Sequence, residues 1–290
     1  MSNNEKQTKG WLERFLTVFG DLKVFRWPLF FLYDPGSYLV KGEDMRQVLE
    51  LIQPGDVLVR GYVNYLDGYF IPGYFSHAGL YLGEVDRDKL GDGWTDEYAP
   101  LEKVKAECKS GKQMVIHAMA EGVFMEDLLN FCRCDYMAIL RFPEQLTRND
   151  TSPQILFNAA QSNSEERQIE ERLERGETIY FKEVFPIIYK LALSQLGRAY
   201  DFRFNFESFD TFSCSELVYY CAKSVCWHLC LSPIEKRVLF IKKSMIEPDA
   251  FARCDKLQLV WHSKSVDQKV ISEMRKGAAP AAATAVAPVA

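Results

Sequence analysis

Four stretches of the chain alternate or run apolar between Gly, Pro and Asp punctuation, and each predicts a β-strand. They are Asp56 to Arg60, His77 to Gly83, Gln113 to Met119 and Tyr136 to Phe142. Together they predict a small antiparallel sheet or barrel. A helical period governs the residues before them. Trp11, Leu12, Phe15, Leu16 and Phe19 recur at 3.6-residue spacing and Glu43 to Leu51 adds a short helix, so residues 1–50 read as a helical N-terminal extension. Residues 153–176 predict a highly charged helix with an i,i+4 pair at Glu171 and Arg175, a helical insertion at about 150–180. Residues 180–196 are apolar-periodic and helical, with Gly197 as a stop. The charged, Gly/Asp-rich segment 84–112 is too long for a hairpin turn and reads as a flexible flap near the site. Beyond residue 262 the chain is first charged and then Ala/Pro-rich, and 263–290 is expected to form a disordered tail.

One segment breaks from pure patterning toward chemistry. In Phe212-Ser213-Cys214-Ser215-Glu216, the serine and glutamate have capping-box spacing, which makes Cys214 the first residue of a helix. Unpaired N–H groups and the positive end of the helix dipole then surround its sulfur, stabilising a thiolate or an oxyanion. A buried structural cysteine after a serine cap is the alternative. Candidate bases come from four histidines. His77 shares a strand face with Gly79, Tyr81 and Gly83, and the glycines leave room beside it. His117 lies on the next predicted strand with Val115 and Met119. A single histidine in an apolar strand is most often core; two on consecutive strands, with a capped cysteine, point to nucleophilic catalysis.

These motifs resemble a known family. Gln53 to Leu58, Ser76 to Gly83 (Ser-His-Ala-Gly-Leu-Tyr-Leu-Gly), Gly197 to Phe202 and Cys214 to Val218, in this order, are similar to a circularly permuted NlpC-type papain-like domain of the YiiX/YebB-like branch. The resemblance covers roughly residues 50–225 and implies an α+β fold, its small antiparallel sheet or barrel packed on the cysteine helix, with the catalytic domain over 51–262. It implies Cys214 as nucleophile, His77 as general base and His117 as the group orienting the imidazole, with Glu121 in reserve for that third role. Tyr200 is either a site-lining hydroxyl or a packed ring. The implied activity is that of a cysteine hydrolase cleaving an amide or ester bond through a thioester. A lipid acyltransferase using the same pair is the close alternative, and a non-catalytic binding module on the same fold is the distant one.

Composition narrows the partners. Hydrophobic content of 48% with 13% aromatics supports a real core, and a net charge of −5 gives no attraction to nucleic acid. Eight cysteines without paired Cys-x-x-Cys knuckles suit a reducing compartment and no metal; no cofactor is called for. No secretory leader is legible and the longest apolar run near the start is too short to span a bilayer, so the expected location is cytoplasmic. The aromatic residues near Trp27 either pack on the domain or, with the rest of 8–35, make peripheral membrane contact. Tyr62 to Tyr74 reads as the wall of an apolar groove. The substrate class expected is therefore a small, peptide or lipidic acyl compound.

Overall fold

The computed structural model describes residues 22–26, 29–33, 38–63, 73–147, 162–201, 210–226, 231, 234–238 and 241–276. Six strands form one antiparallel sheet: β3 (Val57–Gly61), β4 (His77–Val85), β5 (Gly111–Met119), β6 (Gly122–Asp127), β7 (Tyr136–Arg141) and β12 (Gln258–His262), in the order β12-β7-β3-β4-β5-β6. Three short antiparallel pairs accompany it: β1 (Leu22–Arg26) with β2 (Leu29–Tyr33), β8 (Gln145–Leu146) with β9 (Ile179–Tyr180), and β10 (Ile234–Val238) with β11 (Ile241–Met245). The helices are α1 (Gly42–Leu51), α2 (Leu101–Glu107), α3 (Leu128–Phe131), α4 (Ser164–Glu174), α5 (Phe181–Ser194), α6 (Cys214–Cys221), α7 (Lys223–Cys226), α8 (Pro248–Arg253) and α9 (Gln268–Met274).

The sheet is covered on both faces because its strands bury both side-chain rows, as the near-continuous apolar runs of β3, β4 and β7 require. On one face Val57, Val59, Ala78, Leu80, Leu82 and Ile116 pack with Ile188 and Leu191 of α5 and Leu217 and Val218 of α6. On the other, Leu58, Tyr81, Val115, Met137 and Ile139 pack with Val48 of α1, Leu128 and Phe131 of α3, and Trp261. Each fully buried leucine or isoleucine adds roughly 1.5–3 kcal/mol.

Several local devices fix this frame. Asp56, in the Gln53-Pro54-Gly55-Asp56 turn, accepts from the Gln53 backbone N–H and from Arg141 through Nε and Nη2, all at 2.8 Å, tying the start of β3 to β7. Arg141 Nη2 also donates to the Leu51 carbonyl at the end of α1. The exposed edge of β6 is covered by the chain after α5: Val123 N–H donates to Arg198 O and Gly197 N–H to Val123 O. Gly122, at φ 107°, allows this approach, since a Cβ there would lie 2.4 Å from the Arg198 carbonyl oxygen.

Three sequence expectations need correction. The N-terminal extension is not wholly helical, because 22–26 and 29–33 pair as strands around Trp27-Pro28. Alternating bulky residues favour strand pairing there, and proline cannot continue a helix. The predicted helix over Trp11 to Phe19 and most of the 8–35 membrane segment lie outside the described residues or side chains, as do 64–72 of the proposed groove wall. Segment 84–112 is an ordered connection, with a 3₁₀ turn at Arg87–Lys89 and helix α2. It joins the end of β4 to the start of β5, so it lies at the opposite end of these strands from His77. Trp94 Nε1 donates to Ala99 O at 2.9 Å, and Lys190 Nζ bridges Gly93 O and the Glu165 carboxylate, which hold it down. Finally, 263–276 is folded: Val266 and Ile271 are buried, and Arg275 donates to the carbonyls of Ala252, Cys254 and Leu257. Residues 277–290 lie outside the described set. The charged insertion contributes α4, shorter than expected, with 148–161 also outside.

Candidate active site

The route from the sheet to Cys214 runs through the segment expected to precede it. After Gly197 and Arg198 grip the β6 edge, Tyr200 bridges in parallel to Phe212; Phe212 N–H donates to Ala199 O and Asp201 N–H to Phe212 O. Tyr200 is half-buried against the core, so its backbone sets the entry to the cysteine helix. Glu216 then accepts the Ser213 backbone N–H at 2.8 Å, the glutamate half of the predicted capping box, and α6 begins at Cys214.

Cys214 is only 4% exposed. Its sulfur lies 3.7 Å from Ser215 Oγ. Burial pushes its pKa above the usual 9.0, although the Ala78 and Ser215 donors pull it down. This differs from the thiolate that the helix N-terminus alone suggests. The dipole is worth about 1 kcal/mol in ordinary settings, and full desolvation of a charge exceeds it. In this closed state the group is a neutral thiol.

His77 and His117 share the other face of the sheet from α6, as the register Gly79↔His117 dictates. His77 Nε2 and His117 Nδ1 are 2.8 Å apart, both rings being buried. Glycine at position 79 makes the arrangement possible. A Cβ there would lie 2.7 Å from the Phe131 ring, and Phe131 lies tilted against His77 and stands edge-on to His117. Burial, with Arg60 and His117 nearby, holds His77 well below its ordinary 6.5; burial likewise lowers His117. Both rings are therefore neutral at pH 7. No hydrogen bond joins Cys214 to His77 among the described residues, and the His77 side chain starts from the opposite face of β4 to the one that α6 covers.

Glu121 is exposed in the β5–β6 turn. A carboxylate that the sequence reading passed over is closer: Glu126 Oε1 lies 3.1 Å from His117 Nε2, within ion-pair reach although bent from ideal hydrogen-bond geometry. It was findable. A two-residue turn at Ala120-Glu121 fixes Val115↔Glu126, which puts Glu126 on the face of His117 and diagonal to it. Arg60, buried on β3, completes the cluster. Its Nη1 donates to Phe131 O at 2.6 Å and sits 3.7 Å from Glu126. A cleft of about 600 Å³ lined by Glu84, Lys89, Trp94, Tyr189 and Lys190 lies at the far end of β4 and includes none of these groups. No cluster of three or more metal-ligating side chains occurs among the described residues.

A histidine strand that precedes, in the chain, the helix opening on a cysteine, with sheet and helix packed together, is the arrangement of a permuted papain-like cysteine hydrolase. Residues 51–165 match the family of permuted papain-like amidase enzymes, YaeF/YiiX, C92. This similarity supports a cysteine hydrolase, on a mixed α+β fold with a six-stranded antiparallel sheet. The matched segment contains both histidines and ends before α6, so the position of Cys214 rests on this chain's own geometry. No curated protein and no solved structure matches the chain. Among the described residues, no helix is long and apolar enough to cross a membrane.

Proposed function

We propose that the enzyme cleaves an amide or ester by acyl transfer through Cys214, with His77 as general base and His117 as the group that orients it. The reading is supported by the match of the histidine strands to amidase enzymes and by a cysteine at the first position of the helix that packs on β4, while His77 Nε2 is engaged by His117. His77 takes the thiol proton as sulfur attacks the substrate carbonyl. The Cys214 backbone N–H, first in α6, faces the oxyanion that forms. Collapse expels the amine or alcohol, which leaves with the proton from His77. Water, deprotonated by His77, then attacks the thioester carbonyl and releases the acid and the free thiol.

A small acylated or lipidic substrate fits the surroundings. Leu39 and Val63 are 53% and 43% exposed, and their backbone N–H groups share the Asp135 carboxylate. Met119, 38% exposed and in contact with Arg60, lies at the end of β5 close to the histidines. These residues put apolar surface at the His77 end of the sheet.

The pH dependence of acylation tests the assignment. Because the folded His77 pKa lies well below 6.5, the base stays neutral and competent as pH falls through 6.5; because the thiol pKa is raised above 9.0, unassisted thiolate is scarce at neutral pH. With a p-nitrophenyl ester, the wild-type acylation rate is expected to stay level from pH 8 to below 6.5. In His77→Ala it is expected to fall about tenfold per pH unit below the thiol pKa. An octanoyl ester is expected to outperform an acetyl ester. Identical profiles for both proteins would remove His77 from the base role.

A further inference from the structure

The two histidines can hydrogen-bond in either of two proton arrangements, and only one leaves His77 Nδ1 unprotonated. If His117 carries its proton on Nε2, its Nδ1 lone pair accepts from His77 Nε2–H, and His77 Nδ1 is an unprotonated base. If His117 carries it on Nδ1, it donates to His77 Nε2; the His77 proton then sits on Nδ1 and the base is lost. The 2.8 Å contact is the same in both cases. Something else must decide.

We infer that Glu126, steadied by Arg60, is the positioning residue that fixes the tautomers of both His117 and His77. Its Oε1, 3.1 Å from His117 Nε2, stabilises a proton on that nitrogen and repels a lone pair there. The alternative tautomer would place a lone pair of the fully buried His117 ring against a carboxylate. Burial alone raises the Glu126 pKa, but His117, Arg60 and Arg133 together bring it below its ordinary 4.5, so the group is anionic at pH 7. Arg60 is itself pinned by the Phe131 carbonyl and lies 4.1 Å over the Phe131 ring, the same ring that packs on both histidines. The ionisable groups around the cluster are Arg60 on β3, His77 on β4, His117 on β5, Glu126 and Asp127 on β6, Glu121 in the turn, and Cys132, Arg133 and Cys134 after α3. Of these, Glu126 is the one within ion-pair distance of the outer nitrogen of His117. This extends the catalytic reading above and rests on it for its consequence, though not for the tautomers.

Nitrogen-15 spectra of histidine-labelled protein at pH 7.5 test it, since four histidines are readily assigned by single His→Gln variants. Wild type is expected to show His77 and His117 as Nε2–H tautomers. Glu126→Leu is expected to shift His117 toward Nδ1–H and to put a proton on His77 Nδ1. Its acylation rate should drop about 10- to 100-fold with little change in KM. Glu126→Gln, whose amide oxygen can still accept from Nε2–H, is expected to retain the wild-type tautomers and most of the rate. Wild-type His117 in the Nδ1–H form would overturn the inference, as would unchanged tautomers in a folded Glu126→Leu. The expected tautomers without acylation of Cys214 would uphold the role of Glu126 while removing the nucleophile assignment.

Discussion

Replacing Cys214 by alanine is expected to abolish turnover of an activated ester, with kcat reduced at least about 10⁴-fold and the melting temperature little changed. The thiol makes a long contact of 3.7 Å to Ser215 Oγ, so its removal deletes little hydrogen bonding. Truncation to alanine leaves a small void near the start of α6, and a cysteine side chain is barely larger than the methyl group that remains. The oxyanion donor and the histidines stay in place. What disappears is the atom that forms the acyl bond. Cys214→Ser keeps a nucleophile in name, but an alcohol needs far stronger base assistance than a thiol, and His77 is held neutral and weakly basic by its burial. Serine is expected to restore little. Activity within tenfold of wild type in the alanine variant would place the chemistry on another residue.

The second large effect concerns stability. Lys223 of α7 and Glu166 of α4 form an ion pair whose side chains are each 1% exposed. Glu166 also caps its own helix, accepting from the Asn163 backbone N–H at 3.1 Å. Burial raises its pKa, opposed chiefly by Lys223. Lys223→Ala leaves that carboxylate buried without its cation, a change that typically costs about 3–5 kcal/mol. At about 2–4 °C per kcal/mol for a chain of this size, the melting temperature should fall by roughly 10 °C. The sign with pH follows from a folded pKa above the unfolded 4.5. Once Lys223 is gone, the penalty grows as pH rises from 4.5 toward the folded value and shrinks as acid neutralises Glu166. Adding Glu166→Gln to Lys223→Ala is expected to recover part of the loss. Denaturation at pH 5 and pH 8 measures all of this; a loss below 1 kcal/mol at both would show a solvated pair. The pair matters to the site because α7 follows α6 directly, so the charged insertion is anchored beside the cysteine helix.

Much of this architecture was legible in residue patterns, where local physics and the fold agree. Cys214 opens its helix because Ser213 and Glu216 have cap chemistry. The histidine strands run nearly continuously buried, as strands covered on both faces should, and Gly79 is bare where Phe131 must approach. The failures also have causes. Charge and glycine in 84–112 suggested mobility, but Trp94 closes a local turn onto Ala99 and Lys190 anchors the segment through a long-range bond to Gly93 that composition does not encode. β6 and β12 escaped notice because Gly-Val-Phe-Met-Glu-Asp and Gln-Leu-Val-Trp-His are short and mixed in polarity. Their pairing is decided by neighbours. Glu126 was lost with β6, since its role depends on hairpin register and not on spacing along the chain. The protonation state of Cys214 was beyond reach from sequence, because the cap shows a helix dipole and hides the burial that outweighs it.

The most direct test of the Cys214–His77 assignment is mass spectrometry of the intact enzyme mixed rapidly with a p-nitrophenyl octanoate ester, followed by digestion to locate the adduct. The expected result is one octanoyl group, held on the peptide containing Cys214, absent in Cys214→Ser and strongly slowed in His77→Ala. An adduct on another residue, or none while p-nitrophenol is released at the wild-type rate, would contradict it.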